Sequence, residues 1–256
     1  MEVHHHPHVE KKRFKEYFLE FLMIFLAVTM GFFAETIRED ISEHSRARHF
    51  ASSMLKDLEA DTMELNIYHS YFTYAVNKFD TFMNILSVNE PRNINTGKLY
   101  WYGLFGASNG YFVANDATFQ EMKGSGSLRF FEINIEKEVA KYDRLCRSLL
   151  NLEQMNLGLY TELRKCRAQF FDFKYIDEAN TLYQKSKTTS NQASIDSFLR
   201  SNPPLLSSDK VLFNQYVELS RSRFLRTYNI AYSDSLLRQA TLLMTELKKE
   251  YHLRNE

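Results

Sequence analysis

FLMIFLAVTMGFFA, residues Phe21–Ala34, runs fourteen residues without a charge, and the solvent it implies governs how the rest of the chain is read. By length alone such a run fits the buried helix of a soluble protein better than a bilayer span. Its flanks extend it. From Tyr17 to Ala34 only Glu20 is charged, and Ile37 adds an apolar position one turn later. At about 1.5 Å per residue this helix reaches roughly 27–31 Å, close to the thickness of a bilayer's hydrocarbon core. Ten Phe, Leu, Ile and Val residues stand between Phe18 and Phe33. At about −0.3 to −0.6 kcal/mol each near the bilayer centre, they outweigh one Glu at headgroup depth. Residues 17–37 are therefore expected to form a transmembrane helix. The stretch ETIREDISEH, Glu35–His44, offers no small-x-small cleavage site, which favours an uncleaved anchor over a signal peptide.

Basic residues set the expected orientation. Lys11, Lys12, Arg13 and Lys15 crowd the N-terminal side, whereas Arg38, Arg46 and Arg48 are spread among Glu35, Glu39, Asp40 and Glu43. The positive-inside bias then puts residues 1–16 in the cytoplasm and residues 38–256 on the far side.

The first 35 residues also carry a resemblance. A His-rich start (His4, His5, His6, His8) precedes the basic pair Lys11-Lys12. The span then opens on Glu20-Phe21-Leu22-Met23 and closes on Gly31-Phe32 and Ala34-Glu35. This pattern resembles the opening of an uncharacterised family of Bacteroidota single-pass membrane proteins with a helical extramembrane region. DLEAD at Asp57–Asp61 and GSGSLRFF at Gly124–Phe131 are similar to motifs of related anchored helical proteins of that phylum. The resemblance implies a Gram-negative inner membrane and no particular activity; with the charge bias, that setting puts the bulk of the chain in the periplasm.

Composition narrows what the water-facing region can be. Lys and Arg total 32, Asp and Glu 32, so the chain lacks the basic excess that marks a nucleic-acid protein. Eight Gly and four Pro in 256 residues are too few for many strands and tight turns. Two Cys cannot make a disulfide scaffold. An all-α fold is expected.

Periodicity supports it. Ala51, Leu55, Leu58, Thr62, Leu65, His69, Phe72, Val76, Phe79, Met83 and Leu86 alternate at spacings of four and three. Tyr142, Leu145, Leu149, Leu152, Asn156, Leu159, Leu163, Cys166 and Phe170 do the same. A third, less regular segment runs from about Asp209 to Tyr251. Such seams belong to packed helices. The expectation is a transmembrane helix that continues, without Gly or Pro over residues 35–86, into an antiparallel bundle of three long helices. Asn134 and Ser207 or Ser208 are the expected caps of the second and third.

Between the first two helices lies an insertion, about residues 89–131, with the only Trp in LYWYGLFG (Leu99–Gly106) and a short helix near Thr118–Lys123. Trp101, Tyr102 and Phe105 are expected either to cap the bundle or to form a recognition surface. A polar loop is expected at about residues 172–207, Ser186–Ser197 included.

Candidate chemistry is sparse. His4, His5, His6 and His8 could share a transition metal, although a flexible tail lacks the outer partners that orient imidazoles. Asp57, Asp61 and Glu64 fall at i, i+4 and i+7, a face that could take a divalent cation or, more commonly, pair with a neighbouring helix. Ala27 and Gly31 form a small-xxx-small pair that permits close helix contact in a membrane. Cys146 and Cys166 are 20 residues apart, about 30 Å along one helix, and cannot pair within it. No Walker, HExxH, CxxC or GxSxG motif occurs. The chain therefore reads as a membrane-anchored interaction or scaffold module. It would need no cofactor and have no catalysis of its own, and its partners would be lipid and either copies of itself or another membrane protein. The alternative is a membrane-bound sensor of a small ligand or divalent cation.

Overall fold

The computed structural model describes residues 14–223 and 226–253. The four tail histidines and Lys11–Arg13 lie outside them, as does Leu225. The chain divides into two units, residues 1–50 and residues 51–256.

α1 runs from Phe14 to Val88 as a single 75-residue helix. In the first unit its 18-residue apolar window has the length and composition of a membrane span, and none of that window is buried in protein. Thr29 and Thr36 donate to the carbonyls of Phe25 (2.7 Å) and Phe32 (3.0 Å) four residues back. Their protons are therefore satisfied within the helix, as hydrocarbon surroundings require. Ala27 and Gly31 are exposed on this stretch, and nothing approaches within 4 Å of the position a Cβ on Gly31 would take.

The second unit is wholly helical among the described residues. α1 is followed by α2 (Thr96–Gly103), α3 (Ala117–Ser125), α4 (Ile133–Arg167), α5 (Phe173–Ser186), α6 (Gln192–Arg200), α7 (Lys210–Ser222) and α8 (Ala231–Glu250). A π-helical turn, Arg226–Ile230, leads into α8. The third long segment expected from periodicity is thus realised as α7 and α8, both packed on α4. The α1 seam is buried or half-buried along its whole length, with Ala51, Leu65 and Phe72 fully so. A line one position away is buried too: Met54, Asp61, Tyr68, Ala75 and Phe82, at every seventh residue. Two lines plus this third make the wide apolar stripe of a globular core, broader than a two-stranded coiled-coil seam.

Three expectations are corrected. Trp101 is 3% exposed and Phe105 2%, so they form no recognition surface. α2 and the 3-10 turn Leu104–Ala107 carry them into the centre of the unit. There Phe105 meets Tyr74 and Tyr183 edge-on, with centroids 5.3 and 5.1 Å away. Aromatic rings bury so much apolar area that a segment this rich in them is pulled inward. Tyr102 stays half-buried, with the Lys78 ammonium 6.0 Å from its ring. Second, most of the expected polar loop at 172–207 is helix: α5 and α6 each bury one face, Ile176, Ala179 and Tyr183 on α5, Ile195 and Phe198 on α6. Third, the expected caps shift by a residue or two. Glu132 precedes α4, and Asp209 caps α7 by accepting from the Val211 N–H at 2.8 Å.

Close backbone approach holds the insertion in place. The Gly97 N–H donates to the Ser201 carbonyl at 3.1 Å, and a Cβ on Gly97 would stand 2.1 Å from the Phe198 carbonyl oxygen. Only glycine fits there. Tyr100 donates to the Pro204 carbonyl (2.7 Å) and accepts from the Asp172 N–H (2.9 Å). The Tyr216 hydroxyl donates to the Gly103 carbonyl at 2.6 Å.

Candidate functional site

Asp61 is the one acid on the α1 line that otherwise carries Met54, Tyr68, Ala75 and Phe82, and it is fully buried. A buried carboxylate needs donors. It has three: the Asn115 backbone N–H and side-chain amide both donate to Oδ1 at 2.8 Å, and the Tyr142 hydroxyl donates to Oδ2 at 2.7 Å. Asn115 belongs to an irregular strap, residues 111–116, between the 3-10 turn and α3. The other end of the strap is held by Glu153 of α4, whose Oε1 accepts from the Phe112 N–H at 3.1 Å. Two carboxylates from different helices thus fix the strap over the groove between α1 and α4.

Beneath it is a cavity of 390 Å³. Its apolar wall comes from Leu58 on α1, Val139 and Leu150 on α4, and Phe112 and Phe119 on the strap and α3. Asp57, Asp61, Asp116 and Asp143 also line it, against a single cation, Arg147, which pairs with Asp143 at 2.6 Å. Asp57 is partly buried, and its Oδ2 is shielded from solvent with no hydrogen-bond partner. A larger, more open groove of 960 Å³ lies between α1 and α7, lined by Phe79, Met83, Val217 and Glu218 among others. The smaller cavity is the better candidate, since apolar walls and convergent polar groups together make a ligand site.

Burial favours the protonated forms of three groups around it, Cys146, Tyr142 and Glu153. Burial, reinforced by the negative charge of Asp61, pushes the Cys146 thiol up to about 12. Burial raises the Tyr142 hydroxyl as well, with Cys146 and Asp61 adding to it. Neither is an activated nucleophile near neutral pH. Glu153 is pushed up to about 7 by burial, with the Tyr68 hydroxyl and the Phe112 N–H pulling against it. The arrangement suits holding a ligand better than attacking one.

The residues singled out by sequence separate in space. Asp57 and Asp61 both reach the cavity, whereas Glu64 is exposed. Asp61 spends its oxygens on Asn115 and Tyr142, so the three carboxylates do not form a common cation site. Among the described residues no group of three or more His, Cys, Asp or Glu is placed to hold a metal ion. His69 shares a 3.0 Å hydrogen bond with Ser233. Cys146 and Cys166 are both free thiols. Asn115 and Glu153 escaped the sequence reading, and Tyr142 entered it only as a seam position. Their only signal was an acid falling on a buried heptad line opposite a tyrosine at the start of the second seam.

No protein-family model matches the sequence, and no curated protein or solved structure matches it either.

Proposed function

We propose that the chain is a membrane-anchored helical interaction module without catalysis of its own. Residues 17–37 hold it in a bacterial inner membrane, residues 1–16 face the cytoplasm, and the helical domain stands in the periplasm. The observation that carries this reading is the apolar window of α1. None of it is buried in protein, Thr29 and Thr36 are satisfied within the helix, and the same helix supplies a long wall of the bundle. Lipid is the solvent that suits such a surface. The protonated thiol and phenol beside the cavity favour binding over covalent chemistry. Crosslinking in native membranes tests the interaction role: discrete homo- or hetero-oligomers are expected, and a monomer alone contradicts it.

One observation favours a second reading, a sensor of a small ligand. The 390 Å³ cavity falls within the size range of small-molecule sites, roughly 300–1,000 Å³. Thermal-shift measurements on the full chain in detergent micelles test it, with a rise in Tm expected from molecules that fill the cavity.

A further inference from the structure

The cavity's charge and shape together point to one class of occupant. Four carboxylates line it against one arginine, and that arginine is already engaged by Asp143. Most of the remaining wall is hydrocarbon, Leu58, Val139, Leu150 and the rings of Phe112 and Phe119, with Asn115, Gln120 and Cys146 set among it. In a cavity walled largely by hydrocarbon, negative charge at its buried end is costly, and a cation entering there is attracted more strongly than in water. An anion meets the opposite. A bare metal ion is disfavoured too, since Asp61 spends its oxygens on Asn115 and Tyr142 and the walls would strip water without replacing it.

Asp143 pairs with Arg147, and the exposed Asp116 accepts from the Gln120 side-chain amide at 3.0 Å, which leaves Asp57 as the carboxylate to meet the ligand. It stands one helical turn before Asp61, lines the cavity, and keeps one buried oxygen with no partner. An ammonium brings three donors to such a group, and an apolar body behind it would cover the hydrocarbon wall.

We propose that this cavity binds a small amphipathic organic cation, a primary amine on an apolar or aromatic body, with Asp57 as its counter-charge. The strap at residues 111–116 forms the outer wall over it. The proposal rests on the ligand-binding reading given above and assigns the chemical class that reading leaves open.

The test uses the full-length chain in detergent micelles and three probes of matched shape: tryptamine, its neutral alcohol counterpart and its carboxylate counterpart. Binding is followed by calorimetry and by thermal shift. Tryptamine is expected to bind and raise Tm, the alcohol to bind roughly tenfold or more weakly, and the carboxylate not to bind. Asp57→Asn should weaken tryptamine by a similar factor and leave the alcohol unchanged. Val139→Phe, at a buried lining position, narrows the cavity and should weaken both. Equal affinity for amine and alcohol, or an Asp57→Asn variant that binds tryptamine undiminished, overturns the cation assignment while sparing the cavity as a ligand site. Failure of all three probes overturns the assignment and the ligand-binding reading together.

Discussion

The hydroxyl of Tyr142 donates a 2.7 Å hydrogen bond to the carboxylate of Asp61, joining α4 to α1 across 81 residues of chain. The same carboxylate takes both donors of Asn115, so one buried acid holds two helices and the strap between them. Removing it should cost more than removing any single partner. Asp61→Ala leaves three donors unmet and is expected to destabilise the helical domain by about 3–5 kcal/mol. Tyr142→Phe should cost only about 1–2. In the double variant the two losses should fall short of their sum by about 1–3 kcal/mol. Denaturant unfolding of all four chains in one detergent checks this, and strict additivity would mean that the bond contributes nothing.

The aromatic insertion makes a second prediction, because the burial of Trp101 and Phe105 rules out the surface alternative. Trp101→Ala should cost about 3–5 kcal/mol and lower Tm by roughly 10 °C. Tyr102→Ala, one residue on but half-buried, should cost about 1 kcal/mol. A Trp101 variant that keeps its Tm but loses a binding partner would return the residue to the surface.

Glu153 gives the fold a pH dependence. Its carboxyl stands at about 7 in the folded chain, above the ordinary carboxylate range. Between that range and pH 7 the folded chain holds a proton that the unfolded chain has released, so stability falls as pH rises through this window and levels off above it. Gln keeps the acceptor for the Phe112 N–H and cannot ionise. Glu153→Gln should therefore raise stability at pH 8, by about 1–2 kcal/mol after discounting for the solvent at this half-buried group. The gain should vanish near pH 5. Parallel melts of the two chains across that range decide it, and a gain independent of pH would contradict the assignment.

Periodicity made the long helices legible, because an unbroken four-three alternation such as Ala51 to Leu86 has one geometric solution. It could not show that a third line, from Met54 to Phe82, is buried as well, since Asp61 on that line reads as an edge charge until Asn115 and Tyr142 are seen around it. Trp101 and Phe105 were visible as an aromatic cluster, but composition alone does not say which way a cluster faces. α6 was hidden because only Ile195 and Phe198 of its nine residues are buried. The cavity was not legible at all. Its walls come from four separate parts of the chain, and only their packing brings Asp57, Asp143 and Phe119 to one place.

Lipid around residues 17–37 is the premise beneath the rest, and flotation of membranes after alkaline carbonate extraction measures it. The full-length chain should rise with the lipid. A variant carrying Ile24→Arg and Val28→Arg, both exposed on α1, should not, since two central arginines cost about 5–7 kcal/mol and cancel the apolar gain of the span. A full-length chain that stays at the bottom of the gradient, or a doubly charged variant that floats as well as the parent, contradicts the anchor and the function built on it.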